Sequence, residues 1–132
     1  MEYVLRHNTK IGAKMPAHVP AKSKYRNVKT MIGSEKFDSK READYWQELK
    51  IREKAGEIYD MKRQTPFDLL CAVGDPNDGI AAVVSTYVAD FVFYTRCDKR
   101  RHVVDAKGKR TQMYALKKKW LELQSGVIIE EV

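Results

Sequence analysis

Two apolar, strand-like segments of this sequence are each interrupted by ionisable side chains. Residues 87–94 form the first segment, which contains Asp90, and residues 102–107 form the second, which contains Asp105 and Lys107. Carboxylates and lysines are almost never buried in a protein unless they are paired or bind a metal ion. The fold must therefore place these groups where they can satisfy one another or a ligand.

Pairing of the two segments as a hairpin would bring Asp90 and Asp105 together. Alternation along a strand also places Asp105 and Lys107 on the same face. Two neighbouring carboxylates repel each other, and a divalent cation relieves that repulsion. Oxygen ligands favour Mg²⁺ or Mn²⁺ over zinc. The spacing alone is equally compatible with edge-strand salt bridges, for example between Asp90 and Arg101.

Composition indicates one soluble globular domain. A chain of 132 residues can bury a sizeable core, and its 43% hydrophobic and 33% charged residues are ordinary values. The sequence contains neither the roughly 18 consecutive apolar residues of a membrane span nor a signal peptide, so we expect a cytoplasmic location and no membrane partner. Cys71 and Cys97 lie far apart without a CxxC motif, which favours free thiols over a zinc site.

The net charge of +7 is concentrated near the N-terminus. Residues 1–30 contain seven lysines and arginines against Glu2 alone, whereas the remaining residues are nearly neutral. Because residues 1–27 also contain few large apolar side chains, we predict a flexible basic arm there and a folded domain over residues 28–132. A basic arm suits a polyanion such as nucleic acid, although a solvated tail has the same composition.

Residue patterns outline the order of the elements. Ser39 followed by Glu42 has the spacing of a capping box at a helix start, so Glu42 is either a cap residue or a third site carboxylate. The predicted elements are a helix from Ser39 to about Gly56, strands at 58–70, 80–95 and 102–106, a helix at 111–123 and a strand at 127–129. This order predicts an α/β (α+β) domain around a mixed sheet.

The constellation resembles the PD-(D/E)XK nuclease superfamily, which has the restriction-endonuclease-like fold. The core of that fold runs helix, three-stranded meander, helix, strand. Its signature is an acidic residue on strand two and (D/E)-x-K on strand three, frequently with a glutamate on the first helix. The matching residues here are Asp90, then Asp105, Ala106 and Lys107, and Glu42. The sequence departs from the pattern at Ala89, where a proline is common, and in having Asp105 rather than glutamate.

Residues from about 25 to 132 are also similar to a family of small, mostly uncharacterised phage and prophage proteins. The similar stretches are residues 24–27, 37–43, 87–91 and 104–108. The resemblance implies that Glu42, Asp90, Asp105 and the Ala106 carbonyl bind one or two Mg²⁺ (or Mn²⁺) ions. It also implies that Lys107 assists the water that attacks a DNA phosphodiester.

The sequence thus predicts a metal-dependent DNA endonuclease. Its size and basicity resemble those of phage and archaeal Holliday junction resolvases, which implies a homodimer acting on branched DNA in the cytoplasm, that of the host if the protein is phage-encoded. The alternatives are a non-catalytic nucleic-acid-binding protein of phage replication or recombination, and an RNA or end-directed nuclease. The candidate nucleic-acid-binding side chains are Lys22, Lys24, Arg26, Lys29, Lys109, Arg110, Lys117 and Lys118.

Overall fold

A computed structural model describes residues 28–107 and 109–132. The predicted basic arm at 1–27 lies outside the described residues. The elements are β1 (Thr30–Ile32), β2 (Glu35–Phe37), α1 (Lys40–Lys54), β3 (Ile58–Ala72), β4 (Ala81–Thr95), β5 (Arg101–Asp105), α2 (Gln112–Ser125) and β6 (Ile129–Glu131). A single 3₁₀ turn, Pro76–Asp78, lies in the loop between β3 and β4.

The central sheet has four strands in the order β3-β4-β5-β6. The first three strands are consecutive and antiparallel, and β6 joins β5 in parallel after the chain passes through α2. Strands β1 and β2 form a separate hairpin. The predicted mixed α+β domain with two helices around a mixed sheet is confirmed, with the last strand displaced to Ile129–Glu131. Neither α1 nor α2 has the length and apolarity of a membrane-crossing helix.

Helix α1 begins where the sequence predicts. Ser39 is its N-cap, and the Ser39 hydroxyl accepts a hydrogen bond from the Glu42 backbone N–H at 3.2 Å. Ala43, Trp46 and Leu49 recur every third residue and are buried against the sheet. The apolar pattern of the sequence also predicts Ile51 on this face, but Ile51 is 69% exposed because it lies two residues beyond Leu49, on the far side of the helix.

The spacing of the apolar residues Met113, Leu116, Trp120 and Leu123 predicts a docking face on α2, but of these four only Trp120 packs against the core. Thr111 caps it as expected, but Met113, Leu116 and Leu123 are exposed and Leu121 is the buried residue. Tyr114 and Leu121 pack against the α2-side of the sheet beside Trp120. Leu116, Trp120 and Leu123 line a cavity of about 670 Å³ between α2 and the tip of the β3–β4 hairpin.

The amide of Gln124 fastens α2 to the free edge of β3. It accepts a hydrogen bond from Leu70 N at 2.7 Å and donates one to Asp68 O at 2.8 Å. Trp120 adds a bond from its indole N–H to Leu70 O at 3.0 Å. The two amide bonds are those that a residue of a parallel neighbouring strand would make.

Two apolar clusters cover opposite sides of the sheet. The α1-side cluster includes Trp46, Phe91 and Phe93, and the α2-side cluster includes Val92 and Leu121. Strand β4 does not alternate regularly between these sides. Tyr87 and Ala89 belong with Val92 to the α2-side cluster, whereas Val88 is exposed. The alternation is therefore interrupted at Asp90, which lies between the two stretches.

Candidate functional site

Asp90 and Asp105 lie side by side where β4 and β5 separate. The last residue pair of the β4–β5 ladder is Phe91 with Val104, and the two aspartates follow immediately. Beyond that pair, Asp90 N donates to Asp105 Oδ1 at 3.4 Å, and Ala106 N donates to Asp90 Oδ2 at 2.9 Å. Side-chain oxygens here replace the backbone carbonyls of a continuing ladder, so the carboxylates sit in the gap between the strands.

Asp105 is fully buried and only partly satisfied. Its side chain has no exposed surface, and its Oδ2 has no hydrogen-bond partner among the described residues. Burial raises the pKa of Asp105, although the nearby positive charge of Lys107 acts in the opposite direction. A desolvated carboxylate with a free oxygen is costly in isolation and is well suited to bind a cation.

Lys107 lies on the same face as Asp105, as strand alternation predicts. Its Nζ is 3.7 Å from Asp105 Oδ1 and 5.1 Å from the centroid of the Tyr114 ring. Burial and the charge of Asp105 raise the pKa of Tyr114, so its hydroxyl stays protonated and donates to Glu131 Oε1 at 3.0 Å. The Lys107 side chain remains about one-third exposed (31%), which leaves its ammonium group accessible from solvent.

Glu42 reaches the same region from the first turn of α1. The Ser39 hydroxyl contacts Glu42 Oε1 at 3.3 Å in addition to capping the helix. Burial and the charge of Asp90 both raise the pKa of Glu42, which places this carboxylate within electrostatic range of the aspartate pair. Glu42 therefore takes part in the helix cap, and its charge also interacts with that of Asp90.

The structure uses several of the predicted nucleic-acid-binding charges internally. Lys117 Nζ donates to Thr86 O at 3.1 Å, and Lys118 Nζ lies 3.1 Å from Glu131 Oε1. Arg110 also pairs with Glu131. Lys29 and Lys109 are exposed, whereas Lys22, Lys24 and Arg26 lie outside the described residues.

One surface near the site was not identified from the sequence as a nucleic-acid contact. The exposed β4–β5 turn carries Arg96, Lys99 and Arg100, and Arg101 begins β5 directly after it. The density of basic residues in this short turn was the available signal. Gln64 precedes Thr65 and Pro66, where the sequence is compatible with either a strand polar group or a site residue. In the structure, Gln64 Nε2 donates a hydrogen bond to Asp90 Oδ1 at 3.3 Å.

The fold and these contacts define a mixed α+β protein with a buried carboxylate pair and an adjacent lysine. The chain belongs to the family described as "Protein of unknown function (DUF1064)", whose model matches residues 22–128. No curated protein and no solved structure shows a significant match to the chain. The family match therefore covers every candidate site residue, from Lys22 to Lys118.

Replacing Asp105 by asparagine should stabilise the metal-free protein at neutral pH. Because the pKa of Asp105 is raised by folding, the folded state binds its proton more tightly, so ionisation destabilises the fold as the pH rises above the ordinary value of 3.8. We expect Asp105→Asn to gain about 1 kcal/mol at neutral pH, a rise of roughly 4 °C in the unfolding midpoint.

Thermal unfolding across a pH series, in the presence of a chelator, measures this effect. The gain should disappear once the pH falls below the ordinary value, since both proteins are then uncharged at this position. Asp68→Asn, at an exposed position, is the matched control and should shift the midpoint little. A less stable Asp105→Asn protein at neutral pH would contradict the assignment of Asp105 as a destabilising buried charge.

Proposed function

We propose that this protein is a metal-dependent phosphodiesterase that hydrolyses DNA. The observation that carries the proposal is the fully buried Asp105 beside Asp90. Its Oδ2 has no hydrogen-bond partner among the described residues, and its Oδ1 lies 3.7 Å from the Lys107 ammonium group. A purely structural carboxylate would be expected to have both oxygens satisfied. The resemblance to the PD-(D/E)XK nucleases supports the same conclusion.

The few carboxylate oxygens at the site suit Mg²⁺, which keeps bound waters, better than a metal ion that is coordinated by protein side chains alone. Within residues 28–107 and 109–132, no group of three or more His, Cys, Asp and Glu side chains is arranged to hold a metal ion. Mg²⁺ keeps several waters and is usually bound by one or two carboxylates together with substrate phosphates. Asp90, Asp105 and the Ala106 carbonyl would hold Mg²⁺ or Mn²⁺, with Glu42 contributing from α1.

The chemistry would be hydrolysis of a phosphodiester by in-line displacement. When bound, the cation would polarise the phosphoryl oxygen and lower the pKa of an attacking water. Lys107 stands beside Asp105 with its ammonium group accessible, so it can orient the water or stabilise the charge that develops on the phosphate. Asp90 and Asp105 supply the negative charge that draws the cation to the gap between β4 and β5.

DNA is the proposed substrate because the chain is strongly basic and carries an exposed cationic turn. The net charge is +7, and the β4–β5 turn carries three cations against Asp98, about 20 Å along β4 from Asp90. The narrower form of the proposal, which rests on the resemblance, is a Holliday junction resolvase that acts as a cytoplasmic homodimer on branched DNA. An RNA or end-directed nuclease would use the same site residues.

A second candidate is a nucleic-acid-binding protein of phage replication or recombination that retains the fold without catalysis. The lack of a three-residue metal-holding group among the described residues favours it. The unpaired Asp105 oxygen and the adjacent Lys107 favour the nuclease instead, because a binding protein has no use for a destabilising buried carboxylate.

The deciding experiment incubates the purified protein with labelled four-way junction, duplex, flap and single-stranded DNA. We expect cleavage of at least one substrate that requires Mg²⁺ or Mn²⁺. Asp90→Asn and Asp105→Asn should each abolish cleavage while the proteins remain folded, because each removes a charged ligand. Binding without cleavage under every metal condition would favour the non-catalytic alternative, and full activity of Asp105→Asn would refute the site.

Lys107→Ala should slow cleavage without weakening DNA binding. Removal of a group that stabilises transition-state charge typically lowers kcat by roughly 10²-fold or more. Lys62→Ala is the control, since Lys62 on β3 is an exposed lysine that also pairs with an aspartate, Asp60 at 3.6 Å. A Lys107→Ala protein that binds DNA weakly but cleaves normally at saturation would identify Lys107 as a phosphate contact instead.

Neutralising the β4–β5 turn should weaken DNA binding and make it less sensitive to salt. Each phosphate contact contributes about 0.9 to the slope of log affinity against log salt concentration, so Lys99→Gln/Arg100→Gln should lower that slope by up to roughly 2. Lys117→Gln/Lys118→Gln should change the slope less, because these lysines are already bonded within the protein. If both double variants fold and the Lys117/Lys118 variant lowers the slope more, then α2, and not the β4–β5 turn, contacts the DNA.

A further inference from the structure

We propose that Gln64, on β3, is a positioning residue that fixes the Asp90 carboxylate for metal binding. This inference rests on the proposed metal-dependent function and extends it to a third strand of the sheet. It draws on two independent observations, a side-chain contact and a backbone conformation, which meet at the same position.

The side-chain contact completes the restraint of Asp90. Gln64 Nε2 donates to Asp90 Oδ1 at 3.3 Å, while Ala106 N donates to Asp90 Oδ2 at 2.9 Å. Asp90 is thus tethered from β3 through one oxygen and from β5 through the other. Each carboxylate oxygen has a further lone pair, so both remain able to bind a cation from a fixed orientation. Hydrogen-bond partners of this kind orient metal ligands and tune their affinity.

The backbone conformation of Gln64 is strained. Its φ angle of 48° lies in the left-handed region, which is unfavourable for a residue with a long side chain. Gln64 is also exposed, so burial of apolar surface does not account for the conformation. The amide remains within hydrogen-bonding distance of a buried carboxylate despite that exposure.

Strand pairing explains a similar conformation elsewhere in β3, but not this one. Asp60, with φ 52°, lies inside the register shift between Tyr59 and Lys62, where one strand accommodates an extra residue. Around Gln64 the ladder keeps its register, with Arg63 opposite Phe91 and Thr65 opposite Ala89. Met61 packs on the α1-side cluster and Phe67 on the α2-side cluster, although an even spacing would place both on one side, so β3 changes face near Gln64 as β4 does at Asp90.

The left-handed residue therefore lies where the paired strands change face, and this change occurs at the candidate site. Gln64 stands directly opposite Asp90, the residue at which the alternation of β4 is interrupted. Backbone in sparsely populated conformations clusters at functional sites, where it positions side chains. Here it places the amide that restrains Asp90.

The test compares Gln64→Ala and Gln64→Gly with the matched control Asp60→Gly. Isothermal titration of the metal-free proteins with Mn²⁺ measures metal affinity, and thermal unfolding measures strain. Both glycine variants should raise the unfolding midpoint, because glycine adopts the left-handed conformation without penalty. Both Gln64 variants should weaken Mn²⁺ binding by roughly 10–100-fold, whereas Asp60→Gly should retain wild-type affinity.

Kinetics provide a second measurement on the same proteins. The Gln64 variants should lower kcat while leaving the KM for DNA unchanged, since the amide acts on the ligand and not on the substrate. Wild-type Mn²⁺ affinity and kcat in a folded Gln64→Ala protein would overturn the role of Gln64 and leave the nuclease proposal standing. A wild-type protein that neither binds Mn²⁺ nor cleaves DNA would overturn both proposals.

Discussion

The burial of the Asp105 carboxylate is the constraint on which the rest of the structure depends. A charged group without exposed surface needs compensating contacts, and the fold supplies them from several elements. Asp90 N donates to one oxygen from β4, and the Lys107 ammonium group lies 3.7 Å away. The second oxygen stays without a partner in the described part of the chain, so the compensation is incomplete. Any ligand that satisfies it will also stabilise the folded state by mass action.

The backbone around Asp105 is held by elements distant in sequence. Val132 N donates to Asp105 O at 2.9 Å, and Arg41 of α1 donates to Lys107 O at 2.9 Å. Glu131, on β6, forms a further link to the site. Burial acts to raise its pKa, but hydrogen bonds from Lys118, Tyr114 and Arg110 lower the pKa of Glu131 overall. Lys118 and Tyr114 of α2, together with Arg110 just before it, thus hold Glu131 next to the site.

Sequence patterns of a few neighbouring residues predicted the helix starts and the order of the helices and strands. The helix start at Ser39 and the order of the elements follow from capping and strand patterns that a few neighbouring residues define. The approach of Asp90 to Asp105 was likewise foreseeable, because a short turn joins their strands. The docked face of α2 was not foreseeable, since Tyr114 and Leu121 recur at the same spacing as Met113, Leu116, Trp120 and Leu123. Lysine stems can cover apolar surface between such residues, so charge did not mark the exposed side.

Long-range contacts decided the remaining features. Lys118 looked like part of a DNA-binding patch because Glu131, its partner, belongs to another element. Neither Gln64 nor its neighbours in the sequence are residues that favour a left-handed backbone or a turn, so the positive φ of Gln64 could not be inferred from the sequence. In both cases the deciding group lies on a different strand or helix.

The amide bonds of Gln124 to β3 have a consequence for the behaviour of the protein in concentrated solution. An edge strand with free N–H and C=O groups is a template on which another molecule can add a strand and begin to aggregate. Over Asp68–Leu70 those groups are already bonded to a side chain, which cannot itself continue a sheet. A single helix residue therefore closes this stretch of the β3 edge to intermolecular strand addition, beside a hairpin whose exposed apolar residues would otherwise favour it.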